Sequence, residues 1–194
     1  MFEELCGYLN YTFRDTNLLR EALTHPSTSK KGKNGTKFNY ERFEFLGDSI
    51  LSSVIVEYLI KNHEFENEGD LSKRKAFLVS AKTICKIAKE KVFLDKFILI
   101  SEGERNDGGA TKTSNLENCM EAVIGAIFLD SDFNTVKKVI LDLWLDLDAE
   151  FKEAPQSPKM RLQEWSQKYL KILPQYTLVD ETSDKNGNYF TMRV

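Results

Sequence analysis

The chain has 194 residues, of which 41% are hydrophobic and 29% are charged, and its formal net charge at pH 7 is −3. This length suits one full domain and part of a second, and no run of about 18 apolar residues is present, which excludes a membrane-spanning helix. The three cysteines are odd in number and lack metal-ligand spacing. With an N-terminus that does not resemble a secretion signal, they favour a reducing, cytoplasmic setting.

The helical period extends from the first residues to about Phe151, without strand-like alternation. The expected helices, in chain order, are a short one containing Phe2, Leu5 and Leu9, one around Leu18 to Leu23, and then Tyr40 to Lys61, Leu71 to Ser80, Lys82 to Glu90, Leu116 to Leu129 and Thr135 to Glu150. Ser80 and Asp132 are expected helix caps. Residues 102–114 predict a polar loop, and residues 27–39 predict a basic loop that is either simply solvated or in contact with phosphate.

Beyond residue 151 the pattern changes. Residues 152–158 contain two prolines and predict a linker. An amphipathic helix over 159–170 then precedes two strand-like segments, 176–179 and 189–194. Helix, strand and strand make an incomplete α+β fold, so we expect a truncated second domain. From residue 155 onward basic residues outnumber acidic ones by two, which leaves the acidic excess to the helical region.

Acidic residues form a stripe on the helix predicted over residues 40–61. Glu41, Glu44 and Asp48 are three and four residues apart, so they share one face of an otherwise apolar helix. Gly47 lies in the middle of that helix at a cost of about 1 kcal/mol relative to Ala, which indicates close packing or a site. The stripe is either a solvated acidic face or a place for a hard divalent cation.

A second polar pair lies on the helix predicted over residues 116–129. Asn118 and Glu121 are three residues apart, and the small residues Ala122 and Gly125 let another helix approach. These two side chains can therefore face the first stripe. The two histidines, His25 and His63, are far apart and form no paired zinc-ligand motif.

Four segments together resemble the ribonuclease III family in order and spacing. They are ALTHPS at 22–27, YERFEFLGDSIL at 40–51, EGDLS at 68–72 and EAVIGAIFLD at 121–130. The resemblance implies an all-α catalytic and dimerisation domain over 1–151, a linker over 152–158, and the first part of a double-stranded-RNA-binding domain over 159–194.

The resemblance also implies a metal site. Glu44, Asp48 and Glu121 match metal-binding positions of the family, and Asp48 and Glu121 are the expected catalytic pair. Asn118 is expected at the same metal site, in a position that is usually Asp. Its carbonyl can still bind Mg²⁺ or orient a bound water, but the change removes one negative charge and puts the metal affinity or metal preference in doubt. Glu41 and Glu68 match accessory carboxylates for metal or RNA. The expected cofactor is Mg²⁺, for which Mn²⁺ can substitute.

The reaction implied by the resemblance is hydrolysis of double-stranded RNA by a Mg²⁺-activated water, leaving 5′-phosphate and 3′-hydroxyl ends with a short 3′ overhang. Processing of ribosomal RNA precursors and other structured RNAs is the implied role. Family members act as homodimers, and Phe45 matches a residue that inserts into the partner subunit. From composition alone, Phe45 would be an ordinary core residue.

In the partial second domain, Gln163 and Glu164 match positions that reach the minor groove of an RNA duplex. The usual histidine of the following loop is missing near Asn186, which leaves the second groove contact in doubt. One alternative therefore stays open: a catalytically silent RNA-binding relative of the same fold. Asn118 favours that alternative. The enzyme is favoured by four retained carboxylates, Glu44, Asp48, Glu68 and Glu121.

Overall fold

The computed structural model describes residues 2–28, 38–149, 158–184 and 187–194. Its α-helices are α1 (Phe2–Leu9), α2 (Thr16–Ala22), α3 (Glu41–Asn62), α4 (Glu68–Leu78), α5 (Ala81–Glu90), α6 (Glu102–Asn106), α7 (Thr113–Asp130), α8 (Phe133–Ala149) and α9 (Pro158–Trp165). Two antiparallel strands follow, β1 (Thr177–Asp184) and β2 (Gly187–Arg193). The four lysines of the predicted basic loop (Lys30, Lys31, Lys33, Lys37) lie outside the described residues.

The chain divides into two compact units, Met1–Ala154 and Pro155–Val194. The first is helical, and the second contains a helix and a two-stranded sheet. The predicted fold class, an all-α domain followed by a partial α+β domain, is therefore confirmed. Residues 152–157 of the predicted linker lie outside the described part of the chain. Among the helices that the structure describes, none has both the length and the apolar character needed to cross a bilayer.

Helix α7 is the centre of the first unit. It is buried along most of its length and packs against α2, α3, α5 and α8. Its closest neighbour is α3, where the two backbones touch. A methyl group added at Gly47 would overlap the backbone carbonyl of Glu121, and one added at Gly125 would overlap the carbonyl of Phe43. The close packing that the sequence predicts at Gly47 and Gly125 is confirmed.

Side-chain caps fix several helix starts. Ser80 accepts a hydrogen bond from the Thr83 N–H, and Asp132 accepts one from the Thr135 N–H, so both predicted caps are confirmed. Asn67 caps α4 at the Asp70 N–H, which starts that helix at Glu68 rather than at the predicted Leu71.

The prediction of a loop over 102–114 is wrong in part. The short helix α6 begins there, after Ser101 accepts a hydrogen bond from the Glu104 N–H. A five-residue helix has too few apolar positions to show a helical period, so its capping serine was the only sequence signal.

A buried ion network joins α3, α4 and α8. Asp148, only 5% exposed, accepts hydrogen bonds from Tyr58 (3.0 Å) and from Arg74 (3.1 Å), and its carboxylate lies 2.7 Å from His63 Nε2. Arg74 also donates to both carboxylate oxygens of Glu66. Because each buried charge has opposite charges or donors around it, the network fixes how these helices pack.

The second unit consists of α9, a π-helical turn over Ser166–Leu170 and the β1–β2 hairpin. The predicted helix over 159–170 is thus confirmed as an α-helix that ends at Trp165 and continues as the π-helical turn. Both strands are longer than predicted, and the pairing register shifts between Leu178 and Asp180. The shift interrupts the regular pairing of the hairpin at Val179, which has no partner residue on β2.

Candidate active site

The acidic stripe of α3 begins with Glu41, which is exposed. Its carboxylate accepts a hydrogen bond from Asn39 Nδ2 at 2.8 Å, and its backbone N–H donates to Asn39 Oδ1 at 3.1 Å. Glu41 therefore helps to close the start of α3. Of the three stripe residues, Glu41 and Asp48 are exposed and only Glu44 is half-buried.

Glu44 and Asp48 are one helical turn apart, on either side of Gly47. Glu44 is half-buried, and burial raises its pKa above the ordinary range. The neighbouring carboxylates raise it further, in the order Glu41, Glu117 and Asp48. Glu44 is therefore the inner carboxylate of the α3 pair, and the exposed Asp48 is the one that faces solvent.

Glu121 on α7 is the most unusual member of the site. It is only 8% exposed, and among the described residues its carboxylate has neither a hydrogen-bond donor nor an ion-pair partner. Burial raises its pKa to about 8, and the carboxylates of Asp48, Glu117 and Glu44 contribute in the same direction. A buried carboxylate surrounded by like charges needs either a proton or a cation.

Glu117 belongs to the same group, and the sequence analysis missed it. It is half-buried, one turn before Glu121 on α7; burial raises its pKa, and the Asp48 carboxylate raises it further. The signal that could have found it is the four-residue spacing from Glu121, which matches the spacing of Glu44 and Asp48 on α3.

Asn118 is half-buried, and its side chain lies near the hydroxyl of Tyr40, the residue before α3. Tyr40 is 2% exposed, and burial raises the pKa of its hydroxyl. The nearby Asn118 side chain acts on this pKa in the opposite direction. Asn118 therefore contacts the buried start of α3, next to the acidic stripe.

The structure does not bring Glu68 into this group. Glu68 is the first residue of α4, is exposed, and accepts a hydrogen bond from Ser72 at 3.0 Å. It borders an apolar groove of about 270 Å³ between α3 and α4, lined by Val56, Leu59, Ile60 and Leu71 together with Ser72 and Lys75. None of the raised pKa values of Glu44, Glu117 or Glu121 includes a contribution from Glu68.

The two histidines lie elsewhere. His25 Nδ1 accepts a hydrogen bond from the Ser27 N–H at 3.0 Å and so fixes the turn at Pro26. His63 belongs to the ion network of Asp148. The site on α3 and α7 therefore has oxygen donors, which suits a hard cation such as Mg²⁺ better than zinc.

The carboxylates of the site are near enough to raise one another's pKa values, but they are not arranged in a complete coordination sphere for a metal ion. In the described part of the chain, no three acidic, histidine or cysteine side chains form a ready metal-binding group. The observation that fits a cation is the burial of Glu121, because none of the described residues donates a hydrogen bond to its carboxylate or pairs with its charge. A divalent cation would answer that charge and draw the flanking carboxylates toward it.

In the second unit, Gln163 and Glu164 lie next to each other on α9, and both are exposed. The ring centroids of Trp165 and Tyr169 are 6.0 Å apart on the same segment. Asn186, near which the expected groove-binding histidine is missing, lies outside the described residues. An exposed polar pair on a short helix is compatible with groove contacts and also with a plain solvated surface.

Comparison with known proteins identifies the family. The family described as Ribonuclease-III-like matches residues 15–147. The chain is 44% identical over 186 residues to Ribonuclease 3 of Wolbachia pipientis subsp. Culex pipiens (strain wPip), covering 96% of this chain and 80% of that protein. It is 38% identical over 193 residues to Ribonuclease 3 of Rickettsia bellii (strain OSU 85-389), covering 100% of this chain and 85% of that protein.

A solved structure agrees in fold. The nuclease domain of ribonuclease III from Campylobacter jejuni, described as flexible in a region involved in dimer formation, superposes with a TM-score of 0.68 at 44% identity. The match covers 75% of this chain and 97% of the Campylobacter chain. The chain therefore belongs to the ribonuclease III family and is a ribonuclease.

Proposed function

We propose that this ribonuclease cuts double-stranded RNA by hydrolysis, with Mg²⁺ as cofactor and Mn²⁺ as a substitute. The products would be 5′-phosphate and 3′-hydroxyl ends with a short 3′ overhang. The observation that supports this most strongly is Glu121, a buried carboxylate without a described donor and with three carboxylates around it. No structural role of Glu121 explains that arrangement, whereas a catalytic cation does.

In this proposal Glu44, Asp48 and Glu121 hold the cation, and Asp48 and Glu121 are the catalytic pair. A divalent cation bound there supplies the Lewis acidity that activates water and stabilises the leaving 3′-oxygen. Glu121 is fixed by its burial in α7, and Asp48 faces solvent, from which the RNA backbone arrives. Glu41 and Glu68 are accessory residues at the edge of the site and not ligands of the same cation.

The RNA duplex also needs contacts beyond the scissile bond. We assign these to the unit that starts near residue 155, the partial double-stranded-RNA-binding domain, with exposed Gln163 and Glu164 reaching the minor groove. Its excess of basic over acidic residues supports this assignment. The helical region of residues 1–151 is the catalytic and dimerisation domain.

The active species is a homodimer. Phe45, next to Glu44 on α3, is 79% exposed, which is unusual for so large an apolar side chain. The similarity to a nuclease domain described with a region involved in dimer formation supports the same assembly here. Two active sites in a two-fold dimer would cut both strands of one duplex.

The proposed role is maturation of ribosomal RNA precursors and of other structured RNAs in the cytoplasm. All three cysteines are free, as a reducing compartment requires. The alternative, a catalytically silent RNA-binding relative, is favoured by Asn118 alone. It gives no reason to keep Glu44, Asp48 and Glu121, whose negative charge opposes RNA binding.

The test is cleavage of a perfect RNA duplex by the full chain with Mg²⁺ or Mn²⁺, compared with Glu121→Gln. The substitution keeps the shape of the side chain and removes its charge, so we expect cutting to fall by at least about 10²-fold. Glu90→Gln, the same change at an exposed residue of α5, is the matched control and keeps full activity. Duplex binding without cutting in either metal would instead support the silent relative.

A further inference from the structure

We propose that Glu117 is a metal-facing carboxylate of this active site and provides the negative charge that Asn118 does not. This inference rests on the proposed function, since it assigns a further residue to the same cation. The site would then have two carboxylates on each helix, Glu44 and Asp48 on α3, and Glu117 and Glu121 on α7.

The geometry of the two helices supports this arrangement. On α3, Glu44 and Asp48 are four residues apart, and Gly47 between them contacts the backbone carbonyl of Glu121 on α7. On α7, Glu117 lies four residues before Glu121 and so extends along the same face. The helix crossing therefore places one carboxylate pair beside the other.

The surroundings of Glu117 agree with this placement. Asp48, across the helix crossing on α3, is the one charged neighbour that raises its pKa, after burial. Glu117 in turn is among the carboxylates that raise the pKa values of Glu44 and Glu121. It is half-buried, whereas glutamates such as Glu90 on α5 are exposed. An ordinary surface glutamate would not be close to three other carboxylates.

The burial of Glu121 is a separate observation that supports a ligand at this group of carboxylates. Glu121 is buried to more than nine-tenths, and none of the described residues donates to it. A cation that binds the Glu121 carboxylate would lie between α3 and α7, and Glu117 is on the same side of α7. A hard cation prefers a further carboxylate oxygen to a neutral amide at such a place.

Asn118 has a different part in this arrangement. Its side chain lies near the buried Tyr40, the residue before α3, and lowers the pKa of the Tyr40 hydroxyl against the effect of burial. Tyr40 also accepts backbone hydrogen bonds at the start of that helix, from the N–H groups of Phe43 and Glu44 at 2.9 Å. We therefore assign Asn118 as a positioning residue that ties α7 to the first turn of α3, close to Glu44. The fourth negative charge near the cation comes from Glu117 instead of from residue 118.

The experiment is a direct measurement of Mn²⁺ binding to the full chain without RNA, by titration calorimetry and by electron paramagnetic resonance of free Mn²⁺. We expect Glu117→Gln to weaken Mn²⁺ binding by about 10–100-fold, the range for losing a residue that supports a metal site. Glu90→Gln, exposed on α5, should bind Mn²⁺ like the unmodified chain. Circular dichroism checks that each variant is folded.

A second variant tests the charge argument itself. Adding Asn118→Asp to Glu117→Gln moves the carboxylate by one residue along α7, and we expect it to restore most of the lost Mn²⁺ affinity. Unchanged Mn²⁺ binding in a folded Glu117→Gln, with binding lost in Glu121→Gln, would overturn this inference and leave the proposed function intact. If the unmodified chain neither binds Mn²⁺ nor cuts RNA, the proposed function fails as well.

Discussion

Glu121 links stability and function at the scale of a single residue. The packing of α7 against α3 leaves Glu121 only 8% exposed, and the neighbouring carboxylates have the same charge. Without a cation, an ionised Glu121 destabilises the fold. This is the cost expected of a site prepared for a ligand rather than for its own stability.

We predict that Glu121→Gln stabilises the chain in a chelating buffer, and more so at pH 8.5 than at pH 5. The folded pKa of about 8 lies above the ordinary value of a glutamate, so the folded state holds a proton that the unfolded state has lost. Stability therefore falls as pH rises from about 4.5 to about 8, and the amide removes this loss. Thermal unfolding across this range measures it, and each kcal/mol gained raises Tm by about 2–4 °C.

The same series with Glu90→Gln is the control, because Glu90 is exposed and no pH-dependent gain is expected from it. A constant difference between Glu121→Gln and the unmodified chain at all pH values would contradict the prediction. It would mean that Glu121 is already paired in the folded protein.

At the scale of the secondary-structure elements, the contact between α3 and α7 decides the geometry of the site. We predict that Gly47→Ala destabilises the chain by at least about 1–3 kcal/mol, because the new methyl group would overlap the Glu121 carbonyl and push the helices apart. We also expect weaker Mn²⁺ binding, since the carboxylates of α3 and α7 would separate. Chemical denaturation and Mn²⁺ titration measure the two effects.

Gly7→Ala is the matched control for this prediction. Gly7 lies inside α1, and a methyl group there meets nothing within 4 Å. The same substitution should therefore stabilise the chain slightly, by about 0.5–1 kcal/mol, through helix propensity. Equal effects of the two substitutions would show that α3 and α7 are not in backbone contact.

The sequence predicted the elements better than it predicted the site. Long helices such as α3 and α7 were evident from their apolar period, and Gly47 indicated their contact. The apolar period of a helix does not indicate which carboxylates of two different helices lie close together, because that depends on how the helices cross. Glu117 was missed for this reason, and Glu41, placed on the stripe by its spacing, is instead exposed and bonded to Asn39.

At the scale of the whole molecule, a net charge of −3 has to be reconciled with binding to RNA. In the proposed function, a divalent cation at α3 and α7 would offset part of the acidic excess where the RNA backbone approaches. The unit from Pro155 onward has a small basic excess. The two units therefore differ in charge, and the proposal gives metal binding to the first and phosphate contact to the second.

The proposed dimer gives a further test at this scale: we predict that Phe45→Ala weakens the dimer without unfolding the monomer. Phe45 is 79% exposed, so its truncation removes little from the core of its own subunit. In a two-fold dimer the loss occurs twice, at about 1.5–3 kcal/mol for each side chain, so the dissociation constant should rise by at least about 10²-fold. Sedimentation velocity over a concentration series measures this.

Leu145→Ala, at an exposed apolar side chain of α8, should leave the dimer unchanged. If Phe45→Ala dimerises as tightly as the unmodified chain, Phe45 is not an interface residue, and its exposure on the helix of Glu44 and Asp48 would need another explanation, such as direct contact with RNA.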